Sequence, residues 1–359
     1  MAYSSITKPS DYFNTKLYTG DNANNRQISL DFSPDFTWIK GRNAGYSHIL
    51  FDRVRTNANY LVTNADQAEQ DGSSSLGWTN TGCTTNSFTI DKGSNGSINN
   101  SGDTYVAWNW LAGSTGSTNY NGSINSTVSA NTTAGFSIVS WTGSGADATI
   151  GHGLSSAPTI YIVKNRSDAS DWRVGQVLTS SNNMTNGNGY YMELNDSKAS
   201  TNPGSATTWG STPTAPTSSV FTVGSNNAHN GSGDNMIAYC FHSVEGYSKM
   251  GSYTGNGNAD GTFVYTGFKP AVIIAKLSSG VSDWRIYDNK RLGYNVDNNP
   301  LRINDNRAEE TDDNIDFLSN GFKWRTNDSA LNGSGSTYIY MAFASAPLVG
   351  TNNIPATAR

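Results

Sequence analysis

Three short apolar runs punctuate the chain: Phe36-Thr37-Trp38-Ile39-Lys40, Ile160-Tyr161-Ile162-Val163-Lys164 and Val272-Ile273-Ile274-Ala275-Lys276. Each follows a proline, and their brevity and β-branched or aromatic content predict strands. Three further runs predict a second set: Thr104-Tyr105-Val106-Ala107-Trp108, Asn235-Met236-Ile237-Ala238-Tyr239 and Thr337-Tyr338-Ile339-Tyr340-Met341. Clusters of Gly, Asn and Ser separate the runs at short intervals, which suits antiparallel sandwiches better than a βαβ alternation. Helical periodicity is nearly absent. Its best candidate, Asn64 to Gln70, spans one or two turns.

The runs belong to a repeat, which decides the architecture before any single residue does. An aromatic-Thr-Gly triplet occurs at Tyr18-Thr19-Gly20, Trp141-Thr142-Gly143 and Tyr253-Thr254-Gly255. Pro34, Pro158 and Pro270 follow 14 or 15 residues later, and Lys40, Lys164 and Lys276 stand six residues beyond them. Eight residues further come His48, Trp172 and Trp284. Phe51-Asp52-Arg53-Val54-Arg55 then aligns with Tyr287-Asp288-Asn289-Lys290-Arg291. With a four-residue insertion, Leu61, Asn64, Ala68 and Glu69 align with Leu301, Asn304, Ala308 and Glu309.

The expected fold is therefore all-β: three tandem antiparallel β-sandwich modules, jelly-roll or concanavalin-like, with long Gly/Asn/Ser-rich loops. The boundaries read as an N-terminal arm (1–11), module one (12–111), a polar linker (112–134), module two (135–243), module three (244–345) and a tail (346–359). The near absence of a spacer between modules two and three predicts rigid packing there, with module one freer to move.

Composition narrows the function. The 359 residues carry only 14% charged side chains and a net charge of -5, with no Lys/Arg cluster, which argues against a nucleic-acid partner. No apolar run is long enough to predict membrane insertion, and the N-terminus lacks the apolar stretch of a secretory signal, so assembly in a cytoplasm is expected. Two cysteines, Cys83 and Cys240, make no disulfide framework.

Candidates for catalysis are thin. His48, His152, His229 and His242 have no metal-ligand spacing, and His48 occupies a slot that holds Trp in the other two copies. A glycosidase needs a pair of carboxylates. The acids that recur (Asp52 with Asp288, Asp171 with Asp283, Glu69 with Glu309) recur in step with the repeat, which points to a structural job such as capping a turn or pairing with Lys40 or Lys276. Glu310, Asp312, Asp313 and Asp316 read as a solvated turn. Asn256-Gly257-Asn258-Ala259-Asp260-Gly261 has the opening of a calcium loop but Gly267 at the twelfth position, and reads as a hairpin turn. No catalytic residue, metal or cofactor is expected.

Recognition suits the composition better. The chain holds 9 Trp, 18 Tyr and 13 Phe. Aromatic residues on turn-rich loops bring contact area at little entropic cost. Those outside the repeat anchors are the binding candidates: Tyr120, Tyr190, Tyr191 and Tyr294. Tyr190 and Tyr191 lie in an insertion of module two, 179–219, where a ring could stack on a sugar or line the module core.

Several phrases carry a family resemblance: Asn131-Thr132-Thr133-Ala134-Gly135-Phe136-Ser137-Ile138-Val139, Gly251-Ser252-Tyr253-Thr254-Gly255-Asn256-Gly257, Trp284-Arg285-Ile286-Tyr287-Asp288-Asn289 and Tyr338-Ile339-Tyr340-Met341-Ala342-Phe343-Ala344. In these the chain resembles virion structural and tail-fibre proteins of tailed phages of marine bacteria and cyanobacteria, with repeated concanavalin-like or SPRY-like sandwiches. The resemblance implies a non-enzymatic virion protein, assembled in the host cytoplasm. It also implies partners among other virion proteins, and fibres of this kind are commonly trimers of one chain. The leading expectation is a tail fibre or appendage component that recognises a host-surface glycan. A head-decoration or tail-assembly protein, a free lectin and a glycan-degrading tailspike remain alternatives.

Overall fold

The computed structural model describes residues 4–55, 59–72, 86–92, 96–205, 207–297, 299–312, 314–349 and 355–357. Cys83, Trp78 and Asp313 lie outside the described residues. Among the described residues the chain is nearly all β, its strands paired antiparallel in three large sheets and three small ones.

The first large sheet has the order β1 (Phe13–Thr19), β8 (Thr104–Trp110), β3 (Phe36–Gly41), β4 (Ile49–Asp52), β5 (Asn59–Val62), β6 (Gln70–Asp71). Its small partner pairs β2 (Arg26–Ser29) with β7 (Ser87–Ile90). The second runs β15 (Met192–Glu193), β14 (Arg173–Gln176), β13 (Ile160–Asn165), β17 (Asn235–Phe241), β11 (Phe136–Thr142), β10 (Ser126–Asn131), β9 (Ser117–Asn119), opposite β12 (Ala148–Gly151) and β16 (Val220–Val223). The third runs β18 (Ser248–Thr254), β25 (Thr337–Pro347), β20 (Phe268–Leu277), β21 (Arg285–Asp288), β22 (Leu301–Arg302). Opposite it stand β19 (Phe263–Tyr265), β24 (Gly321–Trp324) and β23 (Ile315–Leu318).

The predicted runs are the inner strands β3, β13 and β20 and their neighbours β8, β17 and β25. Alternate residues of these strands face opposite ways, and both faces are buried. One face of each large sheet packs with its small sheet on a core of its own, built around Phe88 and Tyr105, Phe221 and Tyr161, or Phe322 and Tyr338. The other faces of all three meet in one shared core containing Trp38, Trp108, Trp172, Tyr239, Trp284 and Met341. At its centre lies an apolar cavity of about 30 Å³. The first sheet is thus packed against both others, contrary to the freedom expected for module one.

The repeated glycine of the aromatic-Thr-Gly triplet has a steric cause. A Cβ on Gly20, Gly143 or Gly255 would collide with the carbonyl oxygen of Asn100, Gly231 or Gly333. Those oxygens belong to a second repeated motif, Asn-x-Ser-Gly, at Asn99, Asn230 and Asn332. The three Asn side chains are fully buried. The last glycine of each motif donates its N–H to the triplet glycine's carbonyl at 3.0, 2.8 and 3.0 Å.

Two expectations fail. Residues 112–134 are not a free linker: β9 and β10 extend the second sheet, with Val128 paired to Val139 and Ala130 to Ser137. Backbone pairing along this edge outweighs a linker-like composition. Residues 64–70 are not helical. Asn64 Oδ1 accepts the His48 N–H at 2.7 Å, and the Glu69 N–H donates to the Arg166 carbonyl at 2.9 Å, so the segment is drawn out across the neighbouring sheet. The N-terminal arm is also docked: Ile6 joins the shared core, and Ser4 Oγ donates to the Glu245 carbonyl at 3.0 Å.

Candidate functional site

The recurrent titratable residues converge on the junctions between large sheets. At the second-to-first junction, Arg166 binds Glu69 at 2.7 Å, and Arg55 bridges Glu69 and Asp52 at 3.2 and 2.6 Å. Asp52 also accepts the Tyr239 hydroxyl at 2.6 Å. At the first-to-third junction, Arg42 binds Glu309 at 2.8 Å, and Arg291 bridges Glu309 and Asp288 at 3.2 and 2.7 Å. Asp288 accepts the Trp108 indole N–H at 3.1 Å. The other oxygen of each Asp caps the next turn, receiving the N–H groups of Val54 and Arg55 or of Lys290 and Arg291. Burial works to raise the Glu309 carboxyl, but the Arg42 hydrogen bond and the charges of Arg291 and Arg42 hold it below the usual range.

The third-to-second junction has the same backbone contacts without the charges. Ser200 donates its N–H to the Ser278 carbonyl at 2.9 Å, as Glu69 does to Arg166 and Glu309 to Arg42. Gln176 stands in for the Asp, its Oε1 accepting the N–H groups of Leu178 and Thr179. Thr179 replaces the bridging Arg. All four charged positions are therefore neutral together, as expected where a lone buried charge costs more than the complete set. The three junctions point the same way round and close into a ring.

Each ring contact also buries a lysine. Lys40, Lys164 and Lys276 donate to the carbonyl of the following residue at 2.7, 2.6 and 2.6 Å, and across the junction to Asn306, Asp66 and Ser197 at 3.2, 3.2 and 3.3 Å. Burial pushes their ammonium groups down to about 8, 8 and 7. The recurrent acids thus cap turns, as expected, but pair with arginines; the lysines take carbonyls instead. Trp172 and Trp284 donate their indole N–H to Val62 and Glu193 carbonyls at 2.9 and 2.8 Å. His48 Nε2 faces the Arg302 carbonyl at 2.9 Å from the same slot. Asp171 and Asp283 hold Asn195 and Asn304, whose Oδ1 atoms accept the backbone N–H groups of Trp172 and Trp284.

The remaining candidates are buried in a core or paired on a turn. His229 is buried at the place where Leu331 fills the third core, and burial drives its ring well below the ordinary histidine range. Cys240 is fully buried on β17. In the 256–261 turn, Asp260 binds Lys323 and Arg325 at 2.8 and 2.9 Å. Among the described residues no cluster of His, Cys, Asp or Glu could hold a metal ion.

The four candidate tyrosines do not form one site. Tyr120 (76% exposed) lies on the β9–β10 connection and Tyr294 (64%) on the loop after β21. Tyr190 and Tyr191 are half-buried. Tyr191 packs on the second core, with the Arg173 guanidinium 4.2 Å from its ring centroid. Sequence reading missed Phe263 and Tyr265, which project from the edge strand β19 while Val264 between them is buried. Phe263-Val264-Tyr265 offers no apolar/polar alternation, so the sequence held no signal for which side chains face outward. Tyr265 borders a groove of about 420 Å³ with Lys249, Glu245 and Leu348.

Residues 8–347 match the family described as Domain of unknown function (DUF7483). The chain belongs to this family. The matched span takes in all three large sheets and ends at the last residue of β25. A search of curated proteins finds no match.

Proposed function

We propose that this DUF7483 protein is a non-enzymatic structural protein of a tailed-phage particle, a tail fibre or appendage component that recognises a glycan on the host surface. The observation that carries this reading is the use of the chain's recurrent acids and bases. Asp52, Glu69, Asp288 and Glu309 are each tied to arginine at sheet junctions, and the two aspartates also cap turns, which is a role in holding a rigid body together. Aromatic side chains instead face outward on that body, at Tyr120, Phe263, Tyr265 and Tyr294. The phage-like phrases of the sequence supply the particle.

Cryo-electron microscopy of the phage that encodes this chain tests the proposal, at a resolution that traces Trp and Tyr. Density at the distal end of a tail appendage is the expected result. Density enclosed among capsid or tail subunits would replace recognition by a purely structural role, and absence from the particle would overturn the virion assignment.

A further inference from the structure

We propose that the outward face of β19, formed by Phe263 and Tyr265 with the groove beside Lys249 and Glu245, binds a neutral, hexose-rich oligosaccharide. This rests on the glycan-recognition reading above and assigns it a place and a ligand class.

The two rings are 44% and 50% exposed, and Val264 between them is 7% exposed. Neighbours two apart on a strand share a face at about 6.6 Å, so both rings present one platform. The fold does not require aromatics here. Val264 pairs with Phe322 as Ile28 pairs with Phe88 and Ile150 with Phe221, so the residues corresponding to Tyr265 are Ser29 and Gly151. At Gly151 the space for a side chain is filled by Asn119 and Asn121 of the β9–β10 connection. Among the described residues β19 has no such cover, and of the three corresponding strands it alone carries exposed rings.

The platform is held firmly. Lys249 donates to the Tyr265 carbonyl at 2.9 Å, and its ammonium stands 5.4 Å from the Tyr265 ring centroid. The groove between them, about 420 Å³, is large enough for sugar units rather than an ion or a water. Its charged lining is one cation, Lys249, and one exposed anion, Glu245, so it favours a neutral ligand rich in hydroxyls. A pyranose has an apolar C–H face for the rings and hydroxyl edges for the ammonium and carboxylate. A protein partner is less well matched, because two aromatic side chains rimmed by Lys249, Glu245, Lys323 and Asp260 make a small apolar patch.

The test uses the full chain on a printed array of neutral gluco-, galacto- and manno-oligosaccharides alongside sialylated and sulfated glycans. The strongest neutral probe is then titrated against wild type, Tyr265→Ser, Phe263→Ala and Tyr190→Ala. Tyr265→Ser introduces the residue found at the corresponding Ser29, which keeps the fold, and circular dichroism checks this. The expected result is at least tenfold weaker binding for Tyr265→Ser, severalfold weaker for Phe263→Ala and no change for Tyr190→Ala. Neutral-glycan binding that survives Tyr265→Ser with Phe263→Ala would overturn the site while leaving glycan recognition standing. A preference for acidic glycans would overturn the ligand class. No binding to any glycan would overturn both this inference and the recognition reading beneath it.

Discussion

Glu69 and Arg166 are joined twice across the boundary between the first and second large sheets. The Arg166 guanidinium reaches the Glu69 carboxylate at 2.7 Å, and the Glu69 N–H donates to the Arg166 carbonyl at 2.9 Å. Glu309 and Arg42 repeat both contacts between the third and first sheets. Ser200 and Ser278 keep only the backbone contact. The backbone bond is therefore the constant element of the ring, and the ion pairs are a set superposed on it.

That relationship predicts non-additive mutations. Glu309→Ser alone leaves the fully buried Arg291 and the nearby Arg42 short of a partner, and is expected to destabilise by about 3 kcal/mol. Replacing the whole set by its neutral counterpart (Arg42→Ser, Asp288→Gln, Arg291→Thr and Glu309→Ser) is expected to cost less than that single change, because Gln176 and Thr179 show the neutral turn to be complete. Denaturant midpoints of the single and quadruple variants check this, and a quadruple cost equal to or above that of Glu309→Ser alone would refute it.

The triplet glycines make a steric prediction. Gly143→Ala would place a methyl group on the Gly231 carbonyl and is expected to cost about 2–3 kcal/mol. Gly233 has open space around its Cβ position and a φ of 80°, so Gly233→Ala is expected to cost about 1 kcal/mol through backbone strain alone. Thermal melts of the two variants should differ in that order, and equal shifts would show that the close approach is relieved cheaply.

What could be read from the chain follows the range of the interactions. The strands β3, β13 and β20 were legible because a short apolar run after a proline is a local signal, and they lie where it places them. The alignment of Glu69 with Glu309 was legible as a recurrence, yet its meaning was not. The partner arginines, Arg166 and Arg42, lie 97 and 267 residues away, and only packing in three dimensions makes them neighbours. The Lys-x-Arg spacing of Lys40 with Arg42 and Lys164 with Arg166 held that clue, as did the joint replacement of Arg, Asp and Glu by Ser278, Gln176 and Ser200. Residues 112–134 misled because strand pairing at a sheet edge needs no apolar run: Ser126–Asn131 hydrogen-bonds to β11 through its backbone. Tyr265 was hidden for the opposite reason, since an aromatic in a strand is ordinarily core and only the burial of Val264 shows which way it turns.

Cys240 offers a probe of opening. It is fully buried, and burial pushes its thiol well above the ordinary range. In a Cys83→Ser background, a disulfide reagent is expected to label the native protein only at the rate of unfolding, and to label it fully in denaturant. Rapid labelling under native conditions would mean that the second sheet opens locally at β17.

The three buried lysines fix the sign of the pH dependence at neutral and mildly alkaline pH. Burial holds Lys40 and Lys164 down at about 8 and Lys276 at about 7, against 10.5 for an ordinary lysine. Between about 7 and 10.5 the unfolded chain therefore binds more protons than the folded one, and stability from this source rises with pH through that window. In the upper part of that window the buried tyrosines act in the opposite sense and overtake the lysines. Burial raises Tyr161, Tyr239 and Tyr253 well above 10, so the unfolded chain ionises first and stability falls. The expected profile climbs from pH 7 to a maximum between 9 and 10, then drops. Lys276→Met removes the group held lowest and should flatten the rise from pH 7 to 9, whereas Lys198→Met, at an exposed lysine, should leave it intact. Denaturation curves at pH 7, 8, 9 and 10 decide the matter, and a wild-type stability that is level or falling from 7 to 9 would mean that the lysines stay protonated against their carbonyl partners.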